Sequence, residues 1–279
     1  MKILNKLNLS IILFLFTSRI FACGEIPPAE VELSGNKNRQ GPIVLIVHGL
    51  NLKPSKMESL KHIVEKSGLS NALITLKGHQ SVDDQAWKSV TAKDWQNQMR
   101  SIANWLNRCQ LKWIGLSQST GSVLLFWMEQ QKLTSEALAH FSFAPAIFTR
   151  YSLYPLHLAA KIFPSYGISS RNHKDYRVHD ETTLTAYSAL YETAQSLDTE
   201  NFPSFKNRVL VFMSENDELV DFKKTKKWIE DHDGSIISYL PGPEKREVIH
   251  HLLIDPEVAG TSNFRHIEAQ ILNRLYQFK

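Results

Sequence analysis

Residues 111–128, L-K-W-I-G-L-S-Q-S-T-G-S-V-L-L-F-W-M, leave the chain few ways to fold. An apolar run enters, passes through the small and polar residues Ser117 to Ser122, and leaves as a second apolar run. That order predicts a buried strand turned directly into a helix. The turn is tight enough to lift one side chain above the end of a sheet while neighbouring chains crowd it, so small residues are needed two positions before and two after the lifted one. Two serines meet the condition. Ser119 has Ser117 before it and Gly121 after it, with Ser122 next; Ser117 has Gly115 before it and Ser119 after it. Glycine at 121 falls where the following helix must pack closest, which favours Ser119. The Thr120 N–H would then serve as a donor to an oxyanion formed at that serine.

The flanking sequence predicts the sheet that such a turn requires. Residues 42–47 form an unbroken apolar run, rich in β-branched side chains, that ends in His48-Gly49-Leu50-Asn51. Runs of this kind mark strands buried on both faces, which means a parallel sheet under helices. A helix follows over 53–67, a strand over 72–76, and a helix opened by Thr91 with Asp94 three residues on, as in a capping box. That helix runs to Cys109 and delivers the chain to the elbow strand. Strand and helix in alternation predict a doubly wound α/β fold. Residues 31–33 read as one short edge strand within a linker over 23–41.

After a strand over 139–146 the alternation stops. Residues 148–205 are apolar and aromatic but broken by prolines, with a polar stretch over 169–176 and a helix over 183–197. An insertion of this size between core strands predicts a cap, and its leucine and aromatic content predicts an apolar acyl group as the bound part of a substrate. The core resumes at 208–213 and is followed by an acidic turn on which Asp217, between Asn216 and Leu219-Val220, has the setting of an acid that orients a histidine, with Glu215 and Asp221 as alternatives. A last strand over 235–240 precedes a loop carrying His250 and His251, then a C-terminal helix over about 263–276. Adjacent histidines raise a metal reading. No cysteine or carboxylate cluster stands beside them at ligand spacing, so neither a metal nor an organic cofactor is expected.

The N-terminus carries Lys2 and Lys6, the apolar run Ile11 to Phe16, and then Ile20-Phe21-Ala22-Cys23. A basic start, an apolar stretch too short to span a bilayer and a small residue before a cysteine predict an export signal over 1–22. Ile20-Phe21-Ala22-Cys23 resembles a bacterial lipobox, which implies a lipidated Cys23 as the mature N-terminus, membrane attachment through it, and a periplasmic or outer-membrane location. Loss of 1–22 removes three cations and no acid, taking the formal charge from +4 to +1. A near-neutral chain gives no footprint for nucleic acid. Of the two cysteines, Cys109 reads as a small packed hydrophobe, or as the partner of Cys23 if Cys23 is unlipidated.

Taken together, His48-Gly49-Leu50, Gly78-His79, Ser117-Gln118-Ser119-Thr120-Gly121, Tyr176-Arg177-Val178-His179-Asp180, Asn216-Asp217-Glu218-Leu219-Val220 and His250-His251-Leu252-Leu253-Ile254-Asp255-Pro256-Glu257 resemble the α/β-hydrolase superfamily. The resemblance covers nearly all of the chain after the signal. Within the superfamily it is closest in character to the serine hydrolases around monoacylglycerol lipase, lysophospholipase and carboxylesterase. It implies an α/β-hydrolase fold with a mostly parallel sheet, a core over 42–147 and 206–279, and a helical cap over 148–205.

It also implies a serine, an acid and a histidine in that chain order: Ser119 as nucleophile, Asp217 as the acid, and His250 as the base, because an acid, Asp255, follows His250 by five positions. His251 is the alternative base, and Ser117 the alternative nucleophile. Leu50 would supply the second oxyanion N–H beside Thr120, while His48 and His79 shape loops. The implied activity is hydrolysis of carboxylic esters with an apolar, lipid-like acyl chain, such as monoacylglycerol or lysophospholipid, through an acyl-enzyme. A thioesterase, amidase or acyltransferase could use the same site, and a non-catalytic lipid-binding lipoprotein could keep its shape. Haloalkane dehalogenation would need an acid at the elbow, where there is none.

Overall fold

The computed structural model describes residues 26–35, 41–239 and 249–279. The predicted signal over 1–22 and the lipid attachment at Cys23 lie outside them. In chain order the elements are β1 (Val31–Ser34), β2 (Ile43–Val47), α1 (Glu58–Ser67), β3 (Ser70–Ile74), α2 (Ala92–Arg108), β4 (Trp113–Gln118), α3 (Thr120–Gln130) and β5 (His140–Phe143). Then come α4 (Tyr154–Ala160), β6 (Gly167–Ser169), β7 (Glu181–Thr183), α5 (Leu184–Gln195), β8 (Val209–Ser214), α6 (Phe222–Asp231), β9 (Ser235–Tyr239), α7 (Pro256–Ala259) and α8 (Thr261–Leu275).

Seven strands form the main sheet in the order β1-β3-β2-β4-β5-β8-β9. Only the edge strand β1 runs antiparallel, against β3; every other pairing is parallel. The reason lies in the side chains. All five residues of β2 are buried, with Ile43, Leu45 and Val47 in one apolar core and Val44 and Ile46 in the other. A strand apolar on both faces must be covered on both, and the two-residue alternation assigns each side chain to its layer. On one face α2 and α3 bury Trp95, Met99, Val123 and Phe126. On the other, α1 and α8 bury Leu60, Ile63, Ile267 and Ile271.

The predicted capping box at Thr91 and Asp94 is present, each residue accepting from the other's backbone N–H. Two predicted elements begin elsewhere. The helix expected from residue 53 starts as a 3-10 turn over Pro54–Met57, and the strand expected over 72–76 lies at Ser70–Ile74. Cys109, which caps α2, is disulfide-bonded rather than a free packed thiol.

Residues 148–205 contribute no strand to the main sheet. They form α4, the antiparallel hairpin of β6 and β7, and α5, whose Ala186, Ala189 and Leu190 join the core beside α2. Thr149 bridges to Val220, and the N–H groups of Arg150 and Asp221 bond to Leu219 and Phe148, so the start of this segment is stitched to the loop after β8. Among the described residues, no helix is long and apolar enough to cross a membrane.

Candidate active site

The strand β4 ends at Gln118 and α3 begins at Thr120, which leaves a single residue, Ser119, to make the turn. Its φ of 51° and ψ of −113° are a conformation that a residue with a side chain adopts only under constraint. The constraint is visible. The Ser119 N–H donates to Phe143, and its carbonyl accepts from Ser122 and Ala146. A Cβ at Gly121 would lie 2.4 Å from the Val47 carbonyl oxygen and 2.7 Å from that of His48, so glycine alone lets α3 approach the end of β2. A Cβ at Gly49 would displace the Gln118 side chain and lie 3.0 Å from the Cβ of Ser119. Ser117, by contrast, sits within β4 with its hydroxyl bonded to Ser122, in regular strand conformation and fully buried. The geometry therefore singles out Ser119, which is 6% exposed, over Ser117.

The loop after β8 carries Asp217, wholly buried, whose Oδ1 accepts the N–H groups of Leu219 and Val220 at 2.8 Å each. Its Oδ2 lies 2.8 Å from Nδ1 of His251. Burial pushes this carboxyl up, but the His251 charge and hydrogen bond, with the two backbone donors, hold it below the ordinary carboxylate value. Neither Glu215 nor Asp221 takes that place; Asp221 caps α6 instead.

The base predicted at His250 requires correction. The structure pairs Asp217 with His251, which is 3% exposed, and turns His250 outward against Glu218, whose carboxylate meets both its Nδ1 and its backbone N–H. Neighbouring residues on an irregular loop face opposite ways, so just one of the two can reach Asp217. The spacing to Asp255 pointed to His250, which pairs with Glu218 instead. Asp255 caps α7 through the N–H groups of Glu257 and Val258 and accepts the Tyr176 hydroxyl at 2.8 Å, so it anchors the loop rather than marking the base.

Ser119, His251 and Leu50 line one cavity of about 290 Å³, together with Gln118, Ala146, Leu153, Leu156, Leu190, Leu219 and residues of the β6–β7 hairpin region. With Nδ1–H given to Asp217, Nε2 is the basic nitrogen of His251. Among the described residues, no hydrogen bond occupies the Leu50 or the Thr120 N–H, the two predicted oxyanion donors. A larger open groove of about 1270 Å³, between Glu30, Lys53, Gln80 and Asp180, contains none of these groups.

Sequence reasoning missed what holds the Leu50 loop. The Asn172 amide donates to the carbonyls of Leu50 and Asn51, and Asn51, at φ 50°, exchanges bonds with His179 across the same gap. Beneath them the Asn51 N–H donates to Nε2 of His79, and the Leu76 N–H to Nε2 of His48. Each acceptor nitrogen must be unprotonated. Burial brings His48 down to about 4 and His79 well below its usual value. Both histidines hold loops, as predicted. The Asn51-x-Asn172 clamp spans more than a hundred residues, and its one local signal is an asparagine after His48-Gly49-Leu50. Among the described residues no group of three or more His, Cys, Asp or Glu is placed to hold a metal ion.

This arrangement is that of the α/β-hydrolase fold, which the chain adopts. It superposes on a metagenome-derived lipolytic enzyme with a TM-score of 0.64 at 18% identity, covering 91% of this chain and all of that one. The monoacylglycerol lipase of Paleococcus ferrophilus gives 0.64 at 14% identity, over 88% of this chain and 98% of the other. A soluble variant of monoglyceride lipase from Saccharomyces cerevisiae, solved with a substrate analog, gives 0.66 at 14% identity, over 88% and 91%. No family model and no curated protein matches the chain by sequence.

Proposed function

We propose that this protein is a serine hydrolase of carboxylic esters, with Ser119 as nucleophile, His251 as base and Asp217 as the acid that orients it. The observation that carries the reading is Ser119 in a strained strand-to-helix turn, sharing one cavity with a histidine whose Nδ1 is bound to a buried carboxylate. Nε2 of His251 takes the serine proton as Oγ attacks the ester carbonyl. The N–H groups of Leu50 and Thr120 receive the oxyanion, Asp217 stabilises the imidazolium, and His251 returns the proton to the leaving alcohol. Water, activated by the same histidine, then releases the acyl group and restores the serine.

The lipolytic enzymes among its structural neighbours support an ester as substrate. The cavity supports a modest acyl group. Its volume is about 290 Å³. Residues 148–205 act in this reading as a cap. They supply Leu153, Leu156 and Leu190 to the apolar wall and expose Tyr154, Leu158, Ile162 and Phe163 outside it. Export to an oxidising compartment belongs to the same reading, supported by the disulfide at Cys109.

The test is labelling with a fluorophosphonate followed by turnover of p-nitrophenyl esters. Labelling should vanish in Ser119→Ala and persist in Ser117→Ala, and short and medium esters should outrun the palmitate. A wild type that neither labels nor turns over any ester overturns the reading.

A further inference from the structure

The chemistry of the cavity wall is more specific than an apolar acyl pocket requires. Its lining includes no aspartate or glutamate, yet Arg171 contributes to it. Arg171 enters between Ser170 and Asn172, on the stretch that follows β6 and clamps the Leu50 loop. Among the described residues no carboxylate pairs with it; the nearby Arg177 is bound instead by Asp180, and Lys53 donates to the carbonyls of Lys174 and Asp175. Beside Arg171 stand two further polar groups of the same wall, the Tyr187 phenol and the Thr182 hydroxyl. Burial raises the Tyr187 pKa, and the Thr182 hydrogen bond and the Arg171 charge oppose that rise, which sets both groups close to the phenol.

Arg171 is exposed to solvent at the rim of the cavity, and a guanidinium free of a carboxylate there can take a ligand that brings one, because its fork of donors matches carboxylate and phosphate oxygens. A wholly neutral ester would leave that charge unused. We propose that Arg171, with the Tyr187 hydroxyl, is a specificity residue that recognises an anionic group on the ester substrate, a carboxylate or a phosphate. The inference rests on the ester-hydrolase reading above and narrows its substrate class. The apolar wall of Leu153, Leu156 and Leu190 takes the hydrocarbon and Arg171 takes the charged end.

Three matched pairs of substrates test it. Mono-p-nitrophenyl adipate against p-nitrophenyl hexanoate puts the anion on the acyl group. A carboxynitrophenyl hexanoate against p-nitrophenyl hexanoate puts it on the leaving group, and hexanoylglycerol phosphate against hexanoylglycerol substitutes phosphate. The quantity read is the ratio of kcat/KM within each pair. Wild type should favour the anionic member of at least one pair by roughly tenfold, the worth of one charge-assisted hydrogen bond at an exposed site. The preference should shrink with added salt. Arg171→Gln should bring that ratio close to one, Arg171→Glu should invert it, and Arg171→Lys should retain part of it. Which pair responds identifies the end of the substrate that carries the charge. Equal rates within every pair in an active wild type, or a preference that survives in Arg171→Gln, overturn this inference alone. A wild type inactive on every ester overturns it together with the function on which it rests.

Discussion

Two buried carboxylate–histidine pairs stand at opposite ends of the same sheet. Asp217 and His251 lie beyond the C-terminal end of β8, 2.8 Å apart, and His251 borders the cavity. Glu129 and His140 lie at the other end, where β5 begins, 2.6 Å apart, and Arg208 closes over the same carboxylate at 2.8 Å. The residue types are the same and both pairs are hidden from solvent. What separates them is the rest of their surroundings. Asp217 spends its second oxygen on backbone N–H groups of its own loop, which leaves His251 as its one side-chain partner and the far nitrogen of that ring available. Glu129 has both oxygens taken, one by His140 and one by Arg208, and the Trp113 and Phe126 rings pack against His140. In the proposed mechanism the first pair passes a proton to the substrate; the second holds the core.

The largest effect that sharpens this contrast is Asp217→Asn. It should reduce kcat roughly ten-thousand-fold by disfavouring the working tautomer, while a denaturant melt moves little by comparison. Glu129→Gln should do the reverse. Activity per folded molecule stays within a few-fold, and stability falls by about 3 kcal/mol, because buried His140 loses its carboxylate and half-buried Arg208 keeps only the longer carboxylate pairing with Glu136. An Asp217→Asn protein that keeps its kcat would erase the distinction.

Acid should reveal the two structural sets in sequence. Burial depresses His48 from 6.5 to about 4, so the unfolded chain binds more protons there, and stability present above 6.5 is lost as pH falls towards 4. Burial alone would raise Glu129, but His140 and Arg208 hold it at about 2 against 4.5, so its contribution is lost below 4.5. Each window is worth about 3 kcal/mol. Melting temperatures of wild type and Glu129→Gln between neutral and acid pH check this: the variant should keep the first decline and lose much of the second. Smaller still is Asn172→Ala. Freeing the Leu50 loop should lower kcat/KM about tenfold with the melt nearly unchanged. A drop in stability without a drop in rate would make the clamp structural.

Much of this was legible from residue order. The elbow could be placed because tight strand-to-helix turns demand small residues at fixed positions, and Gly121 met that demand against the Val47 carbonyl. Asp217 could be found because an acid at a strand end needs a loop that turns back on it, and Leu219 and Val220 do so. The histidine was not legible. The direction in which His250 and His251 point depends on the backbone of one loop, and counting five positions to Asp255 followed a resemblance rather than a contact. The β6–β7 hairpin escaped for a different reason: strands of three residues are too short for a two-residue period to register. Arg171 and Asn172 sat inside a stretch read only as polar, since their partners lie elsewhere in the chain.

The most direct test compares His251→Ala with His250→Ala on p-nitrophenyl butyrate, each checked for folding by its melt. His251→Ala should lose kcat/KM by roughly ten-thousand-fold or more, and His250→Ala by less than about tenfold, since Glu218 and His250 only steady the loop. A His250→Ala protein that is inactive beside a working His251→Ala would contradict the assignment of the base to the histidine on Asp217.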